Sequence, residues 1–236
     1  MKSQTINLLR KEIKLGNTAQ TICWTICCFG MFFIPNYPSY IGPFYITLCI
    51  MMTFALNQSS HDILYTVLLP VRKIDTVKAR FIYCGLIEVF SLVLAIIPYF
   101  IKLSPAFPEV KCGIPLNIAY FGLQFFVYAV FNLLFLGNVY KDPLKPGLRY
   151  LFAAIMYFVF YALCELPVWM YFRVKDNIAD AAQITGFAKA GYYLYTSNSS
   201  TLGVQLLVLL GGILIYALVW CITFKKASKQ FQKYDM

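Results

Sequence analysis

The chain has 236 residues, 60% of them hydrophobic and only 13% charged, where ordinary soluble domains carry about a quarter charged residues. Its 21 Phe, 18 Tyr and 3 Trp fall in long apolar runs, which excludes a water-soluble enzyme, a disordered chain and a collagen-like repeat and marks a membrane domain. The formal charge of +10, from 20 Lys and Arg against 10 Asp and Glu, must then reside in the short segments between apolar spans.

Residues 1–17 come first. They set Ile6, Leu9 and Ile13 on one helical face and Lys2, Arg10 and Lys14 elsewhere, ending at Gly16-Asn17, the pattern of an amphipathic helix lying in a membrane interface. A helix rises ~1.5 Å per residue and needs about 20 mostly apolar residues to cross a bilayer. Six such spans are expected, at 18–34, 40–60, 81–103, 114–137, 150–172 and 202–224. The first is short, and Pro35-Asn36-Tyr37-Pro38-Ser39 closes it into a hairpin with the second. The expectation is one all-α transmembrane domain over the whole chain.

The intervening segments carry charge unequally. Lys2, Arg10, Lys11, Lys14, Arg72, Lys73, Lys78, Arg80, Lys141, Lys145, Arg149, Lys225, Lys226, Lys229 and Lys233 fall on the side of the N-terminus. Lys102, Lys111, Arg173, Lys175 and Lys189 fall on the other. Cytoplasmic loops are the basic ones, so both termini should face the cytoplasm. Fifteen basic residues there against Glu12, Asp62, Asp75, Asp142 and Asp235 account for the whole +10. Contact with anionic lipid follows; nucleic acid does not, because the charges are scattered and no recognition fold accompanies them. Residues 1–20 are charged and interrupted, unlike a cleavable signal peptide.

Chemical motifs are sparse. Cys23, Cys27, Cys28, Cys49, Cys84, Cys164 and Cys221 lie in expected spans and act as small apolar groups, and Cys112 in an outer loop has no partner there. His61, the one histidine, cannot build a zinc site and reads as a structural or loop-contact residue. Gly186 and Gly191 have the spacing of a phosphate loop, but Tyr192-Tyr193 replace the Lys and hydroxyl it requires. Asn57 and Asn198 match a glycan acceptor pattern short enough to recur by chance, with Asn57 at the inner face. No enzyme or cofactor site is expected in this chain.

Glu88 and Glu165 stand within spans, where a charged side chain costs roughly 2.5 to 3.5 kcal/mol on insertion scales. Counted from the inner ends of their spans they lie about 10 Å and about 22 Å deep, on different levels. Both are candidate pathway residues, able to bind a cation or proton; both are also open to a structural role against a hydroxyl, Tyr or amide on a neighbouring span, and the structural role weighs more. Gln124 and Asn132 read as interhelical hydrogen-bonding groups, and Pro98 and Pro167 as helix kinks.

The most distinctive segment lies between the second and third spans, at 61–80. Pro70 cannot donate a backbone hydrogen bond and drives Leu69 out of helical geometry, so a helix entering from Ile63 should break there. From Val71, the apolar positions Val71, Ile74 and Val77 recur at helical spacing with Arg72, Lys73, Asp75 and Lys78 on other faces. The expectation is a short helix flat on the inner surface before the chain climbs at Phe81. Periodicity leaves open whether it merely rests on the bilayer.

Leu69-Pro70-Val71-Arg72-Lys73, followed by Ile74, Val77, Lys78 and Arg80-Phe81, resembles the signature of small bacterial ATP-binding-cassette (ABC) exporter permeases of the type 2 class. The resemblance implies that this segment is a coupling helix docking into a cytoplasmic ATPase, with Leu69, Pro70, Val71, Arg72, Lys73, Ile74, Asp75, Val77 and Lys78 making the contact. It implies a bacterial cell membrane location and separate ATPase subunits that bind ATP and Mg. It also implies a second copy of the chain or a homologous permease as partner. It matches the basic amphipathic N-terminus, and it implies re-entrant helices in the long loop 173–201, where Ile178, Ala181, Ala182, Phe187 and Tyr192-Tyr193-Leu194-Tyr195 cluster. The aromatic, charge-poor pathway fits amphipathic or apolar cargo: peptide, antimicrobial or lipid. The competing reading is a self-sufficient ion-coupled transporter or channel using Glu88 or Glu165. Such folds often show two related halves, and none is evident between 1–113 and 114–236.

Overall fold

A computed structural model describes residues 2–34, 37–60, 62–68, 70–102, 113–142, 145–175 and 185–233. His61, Leu69, Cys112, Ile178, Ala181 and Ala182 lie outside these residues. The elements are α1 (Lys2–Gly16), α2 (Ala19–Met31), α3 (Ile41–Ser59), α4 (Asp62–Leu68) and α5 (Lys73–Lys102). There follow α6 (Ile118–Leu134), α7 (Leu136–Val139), α8 (Pro146–Lys175), α9 (Gly186–Tyr195) and α10 (Ser199–Lys233). Among the described residues the fold is all-helical, and five stretches are long and apolar enough to cross a membrane: α3, α5, α6 with α7, α8 and α10.

The helix within the expected first span is shorter than the span itself. α2 has 13 residues, about 20 Å of rise against a hydrocarbon core of about 30 Å. Thr18 caps its start, accepting from the Thr21 amide at 3.3 Å, and residues 32–34 leave the helix as a turn. α2 lies antiparallel on α3: the Cys49 thiol points to the Thr21 carbonyl, and Gly42 faces the Cys28 carbonyl closely enough that a Cβ would stand 3.0 Å from it. The hairpin is therefore present, with one arm short.

The segment 71–80 also differs from expectation. The short helix lies before Pro70, as α4, and residues from Lys73 onward are the first turns of α5, continuous with the long span. Pro70 ends one helix, while the Asp75 carboxylate accepts from the Arg72 side chain and the Asp75 amide donates to the Arg72 carbonyl at 2.9 Å. An acid in the first turn complements the helix dipole, so α5 nucleates at Lys73 and never lies separately on the surface. Likewise the fourth span begins at Ile118, because Asn117 caps it by accepting from the Tyr120 amide at 2.9 Å.

Buried tyrosines tie α3 into the bundle. Pro43 lacks the N–H that would serve the Ser39 carbonyl four residues back, and the Tyr120 hydroxyl of α6 donates to that carbonyl at 3.1 Å. Tyr157 of α8 donates to the Tyr40 carbonyl at 3.0 Å, and Gln124 donates to Tyr157 at 3.1 Å. Both hydroxyls thus meet backbone acceptors that lipid could not satisfy. The interhelical role expected of Gln124 is observed.

α6 and α10 meet backbone to backbone: Gly122 lies on the Val208 carbonyl and Gly212 on the Gly122 carbonyl, with no room for a Cβ at either. Small residues permit such approach in membranes, where packing replaces the hydrophobic effect between helices. Gly211, its neighbour, faces open space. Gly211→Ala should therefore leave the melting temperature in detergent unchanged, whereas Gly212→Ala overpacks the contact and should cost about 1–3 kcal/mol, read as a lowered thermal midpoint.

Candidate functional site

The end of the bundle carrying α1 holds a buried charge cluster. The Arg80 guanidinium, its side chain 3% exposed, meets Glu12 of α1, 4% exposed, through two parallel bonds: Nε to Oε2 at 3.0 Å and a terminal nitrogen to Oε1 at 3.1 Å. The same terminal nitrogen lies 3.4 Å from Asp62 of α4. Asp62 in turn holds Lys11 at 2.7 Å, and Lys11 also donates to Thr66 at 2.6 Å. Phe54 of α3 places its ring 5.2 Å below the guanidinium, a cation–π contact. Two cations and two anions thus balance where α1, α4 and α5 converge. The hydrophobic face of α1 that packs here is Leu8, with Glu12 beside it; Ile6 and Ile13 point outward.

Against this anchor the Pro70 elbow stands out from the bundle. Leu68 is 81% exposed, Tyr65 68% and Ile74 38%; Pro70, Arg72 and Lys78 are exposed too, and Val71 and Lys73 are half-buried. Asp75 is buried and paired with Arg72, at 2.8 and 3.2 Å. Val77 is fully buried in the main core with Phe81 and Phe135. Of the nine residues implied as a coupling surface, Leu69 is outside the described residues, Val77 faces inward, and Asp75 serves to hold Arg72. Pro70, Arg72, Ile74 and Lys78 are presented outward, joined by Tyr65 and Leu68 of α4, which the sequence reading had not picked out. Their signal was the absence of polar residues opposite Asp62 and Thr66 on a helix too short to cross.

Glu88 sits in the middle of α5, 1% exposed. Its Oε2 accepts from Asn132 of α6 at 2.9 Å and from the Tyr216 hydroxyl of α10 at 2.6 Å. Oε1 has no partner among the described residues, nor does Asn132 Oδ1. Glu165 lies elsewhere, towards the α9 end. There Gly113, at φ +77°, packs so tightly on the Glu165 carboxylate that a Cβ would collide, and Glu165 Oε1 has no hydrogen-bond partner among the described residues. Glu165 thus lies against the segment entering α6. The two carboxylates occupy separate levels and different partners, with Asn132 in the interhelical role expected of it. Tyr216, the one tyrosine of a span otherwise rich in Leu, Ile and Gly, is the partner that reading by span had missed.

The α9 end is closed by one described helix where re-entrant helices were expected. Gly191 rests on the Pro167 carbonyl, Asn117 donates to the Leu194 carbonyl at 2.6 Å, and the Tyr171 ring meets Tyr192 edge-on and Tyr195 at a tilt. No group of three or more potential metal ligands occurs among the described residues.

No family model matches the chain, and neither a curated protein nor a solved structure does.

Removing Arg80 leaves Glu12 buried without its partner, while Asp62 keeps Lys11, so Arg80→Ala should destabilise by about 3–5 kcal/mol. Arg72→Ala, which breaks a pair whose arginine is 60% exposed, should cost under about 1 kcal/mol. Thermal melting of the two purified variants reads the contrast.

Proposed function

We propose that this chain is the membrane-spanning subunit of an ABC exporter. It makes six crossings of a bacterial cell membrane with both termini cytoplasmic, α2 and the turn at 32–34 forming the shortest. It pairs with a second copy or a homologous permease, and two separate ATPase subunits bind ATP and Mg below. The observation that carries this reading is the elbow at Pro70. Exposed Tyr65, Leu68 and Ile74 beside Arg72 and Lys78 make an apolar knob ringed by basic charge at the basic end of the bundle, a surface suited to a protein groove. Its agreement with the type 2 permease signature supplies the identity of the partner.

In this mechanism, ATP-driven closure of the ATPases pushes on the elbow. α5 begins there, and the Arg80–Glu12 and Lys11–Asp62 pairs make α1, α4 and α5 move together. The two permeases rock from inward- to outward-facing and release amphipathic or apolar cargo between them. Ile74→Asp places a charge on the knob, and Val71→Asp does so at its half-buried root. Each should reduce co-purified ATPase and ATP-dependent export at least tenfold while the permease still inserts. Normal assembly and export in both variants would sink the coupling role.

The ion-coupled reading is favoured by the buried carboxylate oxygens that lack a partner among the described residues, Oε1 of Glu88 and Oε1 of Glu165. The two readings separate on Glu88→Gln. Its amide oxygen can still accept from Asn132 and Tyr216, so the exporter reading expects ATP-driven export near the wild-type rate. Transport that needs no ATPase and collapses in Glu88→Gln would instead establish an ion-coupled carrier.

A further inference from the structure

A groove opens between α1 and α4 beside the buried charge cluster, walled by Asn7, Arg10, Lys11, Lys14, Asp62 and Tyr65. Its charges are uneven. Lys11 is taken by Asp62 and Thr66, and Asp62 and Glu12 are shared with Arg80. Arg10 and Lys14 stand one turn apart on α1, both exposed, and neither has an ion-pair partner among the described residues. Like charges at this spacing repel and weaken a helix, and the one acid lining the groove, Asp62, is paired with Lys11 and Arg80 rather than with these two cations. The Asn7 side-chain amide and the Tyr65 hydroxyl, at the same rim, are groups able to donate to an anion's oxygens.

A second observation, independent of the charges, indicates what kind of anion. Ile6 and Ile13 are 51% and 36% exposed on α1 and form one stripe along it. At about 100° per residue, Arg10 falls about 40° and Lys14 about 80° around the helix from Ile6. A helix whose apolar stripe borders a basic one lies with the first among acyl chains and the second at the headgroups. From the two together we infer that the α1–α4 groove is a binding site for the phosphate of an anionic phospholipid, whose acyl chains run along Ile6 and Ile13. Arg10 and Lys14 grip the phosphate oxygens, Asn7 and Tyr65 complete the cradle, and the lipid locks α1 against α4 from outside as Arg80 does from within. This site shares Tyr65 with the Pro70 knob but does not rest on the exporter reading.

The test uses the full-length chain in detergent, with retained lipid counted by native mass spectrometry after incubation with phosphatidylglycerol or phosphatidylcholine. The wild type should retain phosphatidylglycerol at least tenfold over phosphatidylcholine. The double variant Arg10→Gln/Lys14→Gln should lower phosphatidylglycerol affinity about thirtyfold, the factor that two basic residues beside an anionic surface carry. The charge-keeping swap Arg10→Lys/Lys14→Arg should retain most of the binding, which separates loss of charge from any local change in α1. Lys225→Gln/Lys229→Gln, which removes equal charge from exposed positions on α10, should bind as the wild type does. Equal retention of the two lipids, undiminished binding in the α1 double variant, or an equal loss in the α10 control would each overturn the site. Displacement of phosphatidylglycerol by inorganic phosphate at equal concentration would overturn its assignment to lipid and leave a free-anion site.

Discussion

Burying a guanidinium is costly enough that its surroundings must be arranged around it, and in this molecule Arg80 sets that requirement. Its fork is matched by the two oxygens of Glu12, its flank by Asp62 and its face by Phe54. Those partners come from α1, α3 and α4, so one side chain of α5 joins the N-terminal helix to the α3–α4 region. Geometry of this kind is demanding: a lysine could supply the charge but not the two parallel bonds. The position of α1 along the bundle, and with it the α1–α4 groove and the angle of the Pro70 elbow, depends on that single match.

A second constraint acts deeper, where no water is available to satisfy polar groups. The bundle meets it by pairing side-chain hydroxyls and amides with backbone or carboxylate oxygens on neighbouring helices. Tyr120 reaches the carbonyl freed by Pro43, Tyr157 reaches Tyr40, and Tyr216 with Asn132 reaches Glu88. Tyr120, Tyr157 and Tyr216 thus have an architectural use: each ring fills the core while its hydroxyl fastens one helix to the next. The glycine contact of α6 with α10 adds to these bonds without any polar side chain.

The long apolar helices were legible because twenty apolar residues leave few alternatives in water or lipid. Gln124 and Asn132 were legible in role because an amide within a span has to find a partner. What could not be read was the choice among partners. Glu12 is one acid among the charges of an amphipathic helix, and nothing in its neighbourhood names a residue 68 positions away. The limits of α2 and the start of α5 escaped for a related reason. Hydropathy sees apolar content, whereas Thr18, Asp75 and Asn117 decide where helices begin through single bonds to backbone amides or carbonyls. Val77, apolar and correctly spaced for a surface helix, is in the core because α5 starts at Lys73 and turns that residue towards Phe81.

The unbroken run of α5 from Lys73 to Lys102 has a mechanical meaning. A hydrogen-bonded helix resists compression, so its 30 residues, about 45 Å of rise, behave as a strut whose two ends cannot move independently along its axis. Had the chain formed a separate surface helix at 71–78, a hinge would have stood between the elbow and the span, and a load applied below would have been spent in bending. Without that hinge, displacement at Lys73 arrives at the far face with its direction intact. Pro98, four residues from the end of the rod, is the one place along it where the ladder of bonds lacks a rung.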